Sequence, residues 1–325
     1  MNQASYEAAS QARWDAFDAD LIALGKRGAI DAARIAHDLP RRYREIARDL
    51  AVARERAYSP QLVAALERRA LTGHQTLYGA RSNALGTVAD FIARDFPALV
   101  RSESVPVWIA MGLLFIPLLG MIAILQYFPD FAYQVVGAEQ LRSYERMYAP
   151  GNRALGPRHE ASSQVMMFGY YIWNNVKIDF QCFAGGLLFG VGAVFFLVFN
   201  GLMIGTVAGY LTQLGLIATF WGFVAGHSSW ELLGAALSGA AGLKLGWALI
   251  APGRLSRVAA LKAANGQAIR LLIGAAGMTI VAAFIEAFWS SLASVDASVK
   301  VAVGAAFWTI LILYFVFGGR ARPRS

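Results

Sequence analysis

Long apolar runs constrain this chain more than any other feature of its sequence. Residues 105–128, VPVWIAMGLLFIPLLGMIAILQYF, carry no charge, and about twenty apolar residues suffice for one helix to cross a bilayer core. Further apolar runs cover residues 183–211, 214–225, 231–250, 271–293 and 301–317. Because the chain is 57% hydrophobic and only 15% charged, we predict an integral membrane protein rather than a soluble one.

Charged residues concentrate in the N-terminal part of the chain. There, apolar residues recur with helical spacing, for example Trp14, Phe17 and Leu21, which predicts four or five short helices. Glycine and proline place the expected breaks, at residues 25–28, 40, 59–60, and 73 or 79. Residues 87–101 are amphipathic and predict a helix in the membrane plane.

The predicted fold is therefore all-α and has two parts. Residues 1–103 form a cytoplasmic helical domain that ends in the amphipathic elbow. Residues 104–325 form a polytopic membrane helix bundle of about six segments, with an extracytoplasmic interval at 129–181. The second half of that interval is expected to lie along the membrane surface.

Basic segments set the expected topology. The loop that follows residue 250 and the C-terminal tail are rich in arginine, so both belong in the cytoplasm by the positive-inside rule. Six crossings satisfy this rule and leave both termini inside the cytoplasmic membrane. Four crossings with a hairpin also satisfy it, because the run 214–225 is short and is either a crossing or half of a re-entrant pair.

The net charge of +8 fits the same topological bias. No basic and aromatic platform or known motif for nucleic acid accompanies the charge, so no nucleic-acid partner is predicted. The chain also begins without the apolar segment of a signal peptide. Its single cysteine, Cys182, excludes an internal disulfide.

Small residues recur every four positions in two of the apolar runs. Such stripes let the backbones of two membrane helices approach closely. They predict either packing within the bundle or a homodimer seam of the glycine-zipper type. The residues concerned are Gly201, Gly205, Gly209, Gly234, Ser238, Gly242 and Gly246.

Three ionisable residues lie in apolar surroundings. His227 and Glu231 share a helix face because they are four residues apart, and Glu286 lies within another run. Ionisable groups in membranes are costly and are candidates for function. Three interpretations remain open: a structural polar cluster, a pathway for protons or a solute, and a metal or catalytic site.

Evidence for chemistry is weaker. His227 and Glu231 lack the second histidine of the HExxH zinc motif, so we assign no metal, no cofactor and no catalytic residue. Further polar points are Asn174, Asn175 and Asn200, which suit hydrogen bonds between helices. Lys244 is expected to extend toward the cytoplasmic end of its helix.

The order of four segments resembles one known family. WNNVKIDFQCFAGGLLFG, FNGLMIGTVAGY, GHSSWELLGAALSGAAGLKLG and IEAFWS together resemble the stage II sporulation protein M family over about residues 168–317. Ser228 stands where that family has a glycine. The family-like positions are Asn174, Asn175, Asn200, Gly201, His227, Glu231 and Glu286.

This resemblance implies a polytopic membrane protein rather than a particular chemistry. The named member of the family is a scaffold that anchors peptidoglycan-degrading partners at the membrane during engulfment of the forespore. We therefore predict a scaffold in the cytoplasmic membrane, in contact with membrane lipids and organised as a homodimer. Protein partners are expected on the cytoplasmic side and on the extracytoplasmic side. The alternative is a transporter or channel whose pathway runs past His227 and the glutamates.

Overall fold

A computed structural model of the chain describes residues 2–25, 32–77, 84–152, 164–292 and 294–320. These residues are helical throughout most of their length and include no β-strand. The predicted all-α class is confirmed. The chain divides into two compact units, Met1–Ala89 and Asp90–Ser325.

The first unit contains three long helices: α1 (Gln3–Gly25), α2 (Ala32–Glu55) and α3 (Pro60–Leu77). They enclose a core with Trp14, Phe17 and Ile46 at its centre. A fourth helix, α4 (Ala84–Asp90), spans the boundary between the units. The helices are longer than we predicted. Helix α2 continues through Pro40, so that expected break is wrong, and Gly73, one of two alternatives for another break, does not interrupt α3.

Packing explains why Pro40 and Gly73 do not interrupt their helices. Pro40 lies exposed inside α2, where it removes one backbone hydrogen bond. Its neighbour Leu39 and, further along, Ile46 are buried, and their burial holds the helix together. Gly73 lies inside α3, where a Cβ would come within 2.6 Å of the Phe17 ring. The other predicted site, Gly79, lies outside the described residues.

A buried carboxylate fixes the core of the first unit. Asp49 Oδ2 accepts hydrogen bonds from Trp14 Nε1 at 2.9 Å and from Arg13 Nη2 at 2.8 Å. The hydrogen bond to Asp49 raises the pKa of Arg13, which therefore stays charged. Burial raises the pKa of Tyr6 to about 12, because a phenolate would be poorly solvated there.

The second unit is the membrane domain. Its elements follow in this order: a π-helical turn (Phe91–Asp95), α5 (Phe96–Ser102), α6 (Ser104–Tyr127), a 3₁₀ turn (Pro129–Phe131), α7 (Ala132–Val135), α8 (Ala138–Met147), α9 (Gln164–Ala184), a 3₁₀ turn (Gly185–Leu187), α10 (Val191–Gln213), α11 (Ile217–Ile250), α12 (Arg257–Ile285), a second π-helical turn (Glu286–Ser290) and α13 (Ala297–Phe317). Among the described residues, five helices are long and apolar enough to cross a membrane: α6, α10, α11, α12 with its π-helical turn, and α13.

Contacts between helices settle their directions. Gly201 faces Leu114 and Gly205 faces Leu118, so α6 and α10 are parallel. Leu197 packs on Gly239, whereas Thr212 binds Trp221, so α10 and α11 are antiparallel.

Contacts also give the directions of the C-terminal helices α12 and α13. Gly234 meets Thr279 while His227 meets Ser290, so α11 and α12 are antiparallel. Gly222 and Trp230 of α11 meet Ala297 and Phe307 respectively, so α13 is parallel to α11.

The second half of the polar interval, predicted to be a surface helix, is instead α9, which joins the five helices above as a sixth member of the bundle. Phe168 packs on Phe284, and Asp179 bonds with Thr279, so α9 runs antiparallel to α12 through the bundle. Helices α6 and α9 to α13 therefore alternate in direction. The polarity of α9 suggested a position at the membrane surface, in contact with water. Its buried polar groups are instead covered by other helices.

The structure has neither of the two arrangements predicted for the run 214–225, a crossing of its own or half of a re-entrant pair. Residues 217–225 are the beginning of α11, a single helix of 34 residues. The preceding turn contains Gly215, which has a φ of 78°, a conformation that favours glycine. Gly222 and Gly226 do not break α11, because they pack closely on Ala297 and Trp289.

Candidate functional site

The two ends of the membrane unit differ in composition. At one end, Arg101 donates to the Phe315 carbonyl at 2.7 Å and Arg270 pairs with Asp95 at 2.9 Å. This basic end also holds Arg254, Arg257 and Arg320. The other end is rich in aromatic side chains, including Tyr133, Tyr144, Tyr148, Phe220 and Phe223, and is called the aromatic end below.

A cavity of about 360 Å³ reaches from the aromatic end into the bundle. Tyr144, Tyr148 and Phe220 line its outer part, and His227, Glu231 and Glu286 line its inner part. Burial raises the pKa of Tyr148, so its phenol stays neutral. The two glutamates thus border a cavity rather than a closely packed apolar core.

Packing and one hydrogen bond orient His227, whose side chain is almost fully buried. The Phe223 ring lies edge-on to the imidazole with the two centroids 5.2 Å apart. His227 Nδ1 lies 3.1 Å from Ser290 Oγ, which directs Nε2 toward Glu231. Nε2 and Glu231 Oε2 are 3.9 Å apart, which is too far for a hydrogen bond.

The second π-helical turn supplies the third ionisable group. Glu286 begins this turn and Ser290 ends it, so both side chains point at α11. One ligand atom from each of His227, Glu231 and Glu286 falls within 4.8 Å of the others. The structure therefore brings together the three ionisable residues that the sequence singled out.

The asparagines occupy different places around this cluster. Asn174 Nδ2 donates to Asn175 Oδ1 at 2.9 Å, and both residues line the cavity. The buried Nδ2 of Asn175 faces Glu286, but makes no hydrogen bond of regular geometry to any described residue. Asn200 lies on the inner side of Glu231, where both residues line a second, small cavity, and its Nδ2 donates at 2.7 Å to Phe196 O in its own helix.

A second buried carboxylate layer lies deeper, and we did not predict it. Asp179 accepts a hydrogen bond from Thr279 Oγ1 at 2.5 Å and is 2% exposed. Together with Asn200 and Glu231 these residues line a cavity of about 20 Å³, enough for one water molecule. Glu231 borders both cavities. The sequence does not single out Asp179, because its segment is predicted to lie along the membrane surface, where an aspartate is ordinary.

Glycine contacts close the bundle between this layer and the basic end. A Cβ at Gly186 would overlap the Gly242 backbone, and one at Gly246 would overlap Gly190. The stripe of Gly201, Gly205 and Gly209 is filled in the same way by α6. Ser238 is fully buried. These small residues therefore pack within one chain, which was one of the two predicted alternatives.

Two lysines, Lys244 partly buried and Lys300 fully buried, complete the polar framework. Lys244 pairs with Glu103 at 2.7 Å, so the predicted extension toward the basic end is anchored by a carboxylate. Lys300 Nζ donates to the carbonyls of Ser290 and Leu292 at 2.7 and 2.6 Å. Since these carbonyls end the π-helical turn, Lys300 caps it and helps hold Ser290 beside His227.

Comparisons with known proteins match the two units separately. The family model described as Stage II sporulation protein M matches residues 107–291. A domain of unknown function, DUF8413, matches residues 4–79. Neither the curated proteins nor the solved structures give a match to the chain.

Proposed function

Because this chain belongs to the stage II sporulation protein M family, we propose that it is an assembly platform that organises partner proteins at the cytoplasmic membrane. One observation carries the proposal. A helical unit with its own core, Met1–Ala89, is joined to a membrane bundle. Such a unit offers a folded surface outside the lipid to which a partner can bind.

The surface of the first unit supports docking. Arg44 and Arg48 of α2 and Arg68 of α3 are exposed, although their helices also carry buried core residues. Arginine is favoured in interfaces because its guanidinium binds carboxylates through two hydrogen bonds. We therefore expect a protein partner with an acidic surface.

The distribution of basic residues supports one orientation. We propose that the basic end faces the cytoplasm, because positive residues are retained there. The first unit and the C-terminus would then be cytoplasmic, and the large cavity would open on the extracytoplasmic side.

Cysteine labelling tests this orientation. Native Cys182 is buried, so it should contribute little background. A membrane-impermeant maleimide applied to intact cells should label Asp130→Cys, at the aromatic end, and spare Arg254→Cys, at the basic end. Labelling of Arg254→Cys alone would reverse the assignment.

Affinity capture tests the platform itself. The full-length protein is purified from native membranes in mild detergent beside a version that lacks residues 1–89, and co-purifying proteins are quantified. Partners in near-equal amounts that disappear with the truncation support the proposal. A full-length variant with Arg44→Glu and Arg48→Glu is compared with the truncated version. It keeps the first unit but reverses the charge of the proposed docking surface, so it separates loss of that surface from loss of the whole unit. Recovery of the same partners without residues 1–89 would contradict docking through the first unit.

The large cavity favours a second candidate function, transport of protons or a solute. A dry, apolar environment around Glu231 and Glu286 would argue against it, and both side chains instead border a cavity. The close contact of Gly186 with Gly242 closes the bundle between the cavity and the basic end. Transport therefore requires the segments that carry these two glycines to separate. Flux into proteoliposomes that is lost in Glu286→Gln would support this function.

The homodimer remains part of the proposal, but it needs a different surface. The glycine stripes are filled by neighbouring helices of the same chain. Any dimer must therefore use other faces of the molecule, and light scattering of the detergent-purified protein measures its oligomeric state.

A further inference from the structure

We propose that His227, Glu231 and Glu286 form a binding site for a divalent transition-metal ion, with Zn²⁺ as the first choice. An imidazole nitrogen and two carboxylate oxygens are ligand types that Zn²⁺ accepts. The sequence alone is weak evidence for such a site, because His227 and Glu231 lack the second histidine of the HExxH motif and the position of Glu286 relative to them is unknown from the sequence. The fold supplies that ligand from Glu286, on the adjacent π-helical turn.

The spacing suits ligands of one ion better than direct bonds between them. Two ligands at about 2.1 Å from a tetrahedral metal lie about 3.4 Å apart. His227 Nε2 and Glu231 Oε2 are separated by 3.9 Å, and all three ligand atoms lie within 4.8 Å of one another. Binding of the ion therefore requires only that the Glu231 and Glu286 side chains rotate toward it by about the difference between these distances.

Ser290 prepares His227 for this role. With the proton on Nδ1, the imidazole donates to Ser290 Oγ at 3.1 Å and leaves the Nε2 lone pair directed at the carboxylates. Metal-binding histidines regularly use their second nitrogen in this way, which fixes the tautomer and the ring plane. Lys300 holds the Ser290 backbone in place, so the supporting shell is rigid.

Charge provides a further argument. Two carboxylates in a membrane domain are costly unless they are protonated or paired with positive charge. The lysines described above are engaged elsewhere, Lys244 with Glu103 and Lys300 with backbone carbonyls. A divalent cation would neutralise both glutamates at once.

The cavity leaves room for a further ligand of the metal. Zinc sites with three protein ligands keep a fourth position for water or an incoming molecule. The Nδ2 of Asn175, a residue 4% exposed, faces this region without a regular hydrogen bond to the described residues. It is placed to donate to a metal-bound water or to the free oxygen of a ligating carboxylate.

Equilibrium dialysis of the full-length protein tests the site. The detergent-purified protein is stripped with a chelator, titrated with Zn²⁺ and measured by elemental analysis. We expect one ion per chain. Glu286→Gln and His227→Ala should each weaken binding by more than about tenfold, and Ser290→Ala by about tenfold through loss of the supporting bond. Bound Co²⁺ should give visible absorption that changes in His227→Ala.

Glu139→Gln is the matched control, since it removes an exposed carboxylate at the same end of the bundle and should bind as the wild type does. Gel filtration of every variant checks that it is folded, and Glu286→Gln preserves side-chain volume if His227→Ala is unstable. Equal zinc stoichiometry and affinity in the wild type and Glu286→Gln would overturn the proposal. So would a wild-type protein that binds no zinc.

Discussion

Replacement of Gly242 by alanine tests the close packing that closes the bundle below the polar residues. A Cβ at this position would overlap the Cys182 carbonyl oxygen and lie 2.9 Å from that of Phe183. Neither oxygen can rotate away, because both belong to the backbone of α9. Helix α11 must therefore shift against α9, and overpacking of this kind typically costs about 1–3 kcal/mol.

The structure places Gly242→Ala at the upper end of that range, about 3 kcal/mol. Alanine is intrinsically better in a helix than glycine by about 1 kcal/mol, which leaves a net loss of about 2 kcal/mol. Gly277 of α12 is the matched control, because a Cβ there would meet nothing within 4 Å. Gly277→Ala should be neutral or up to about 1 kcal/mol more stable.

Denaturation in mixed micelles with increasing SDS measures both variants on the full-length protein. We expect the unfolding free energies of the two variants to differ by about 3 kcal/mol, which is the packing cost alone, because both variants gain the same helix preference. Equal stability of Gly242→Ala and Gly277→Ala would refute the packing argument, since the two substitutions differ only in what the new methyl group meets.

Further substitutions test buried and partly buried polar groups. Thr279→Val removes the hydrogen bond to Asp179 and should lower the unfolding free energy in the same assay by about 1–3 kcal/mol. Lys244→Met should cost about 2–3 kcal/mol because it leaves Glu103 without its partner, and adding Glu103→Gln should recover part of that loss. Burial raises the pKa of Tyr6 to about 12, so the stability it contributes is present below its ordinary value of about 10 and is lost as pH rises through about 12. Tyr6→Phe should weaken that alkaline loss, which circular dichroism of both proteins between about pH 9 and 12 measures.

The sequence was sufficient to predict the membrane class and part of the site. Uninterrupted apolar runs identify α6, α10 and α13 directly, because lipid requires such runs. The spacing of His227 and Glu231 predicted a shared helix face. Their closeness follows from helical geometry alone.

Other features depend on contacts between distant parts of the chain. Glu286 joins His227 only through the packing of α12 on α11, and the π-helical turn has no simple sequence signal. Asp179 lies in a segment with Lys177 and two asparagines, whose polarity suggested the membrane surface. Only the fold shows that α9 is covered on its polar face by α11 and α12.

The glycine stripes show a different limit. Their spacing predicts that some backbone approaches closely, but it does not tell which backbone. Gly205 meets α6 whereas Gly234 meets α12, and both contacts are within the chain. The spacing of small residues along one helix does not identify the helix that packs against them.

Site-specific photocrosslinking in intact cells tests the central claim, that the protein assembles partners at the membrane through its first unit. A photoreactive amino acid replaces Arg48, on the exposed face of α2, or Gln11, on the exposed face of α1, as a comparison. We expect a discrete crosslinked protein from position 48 that is weaker or absent from position 11. Absence of any crosslinked protein from position 48, in cells where the full-length chain is present in the membrane, would contradict it.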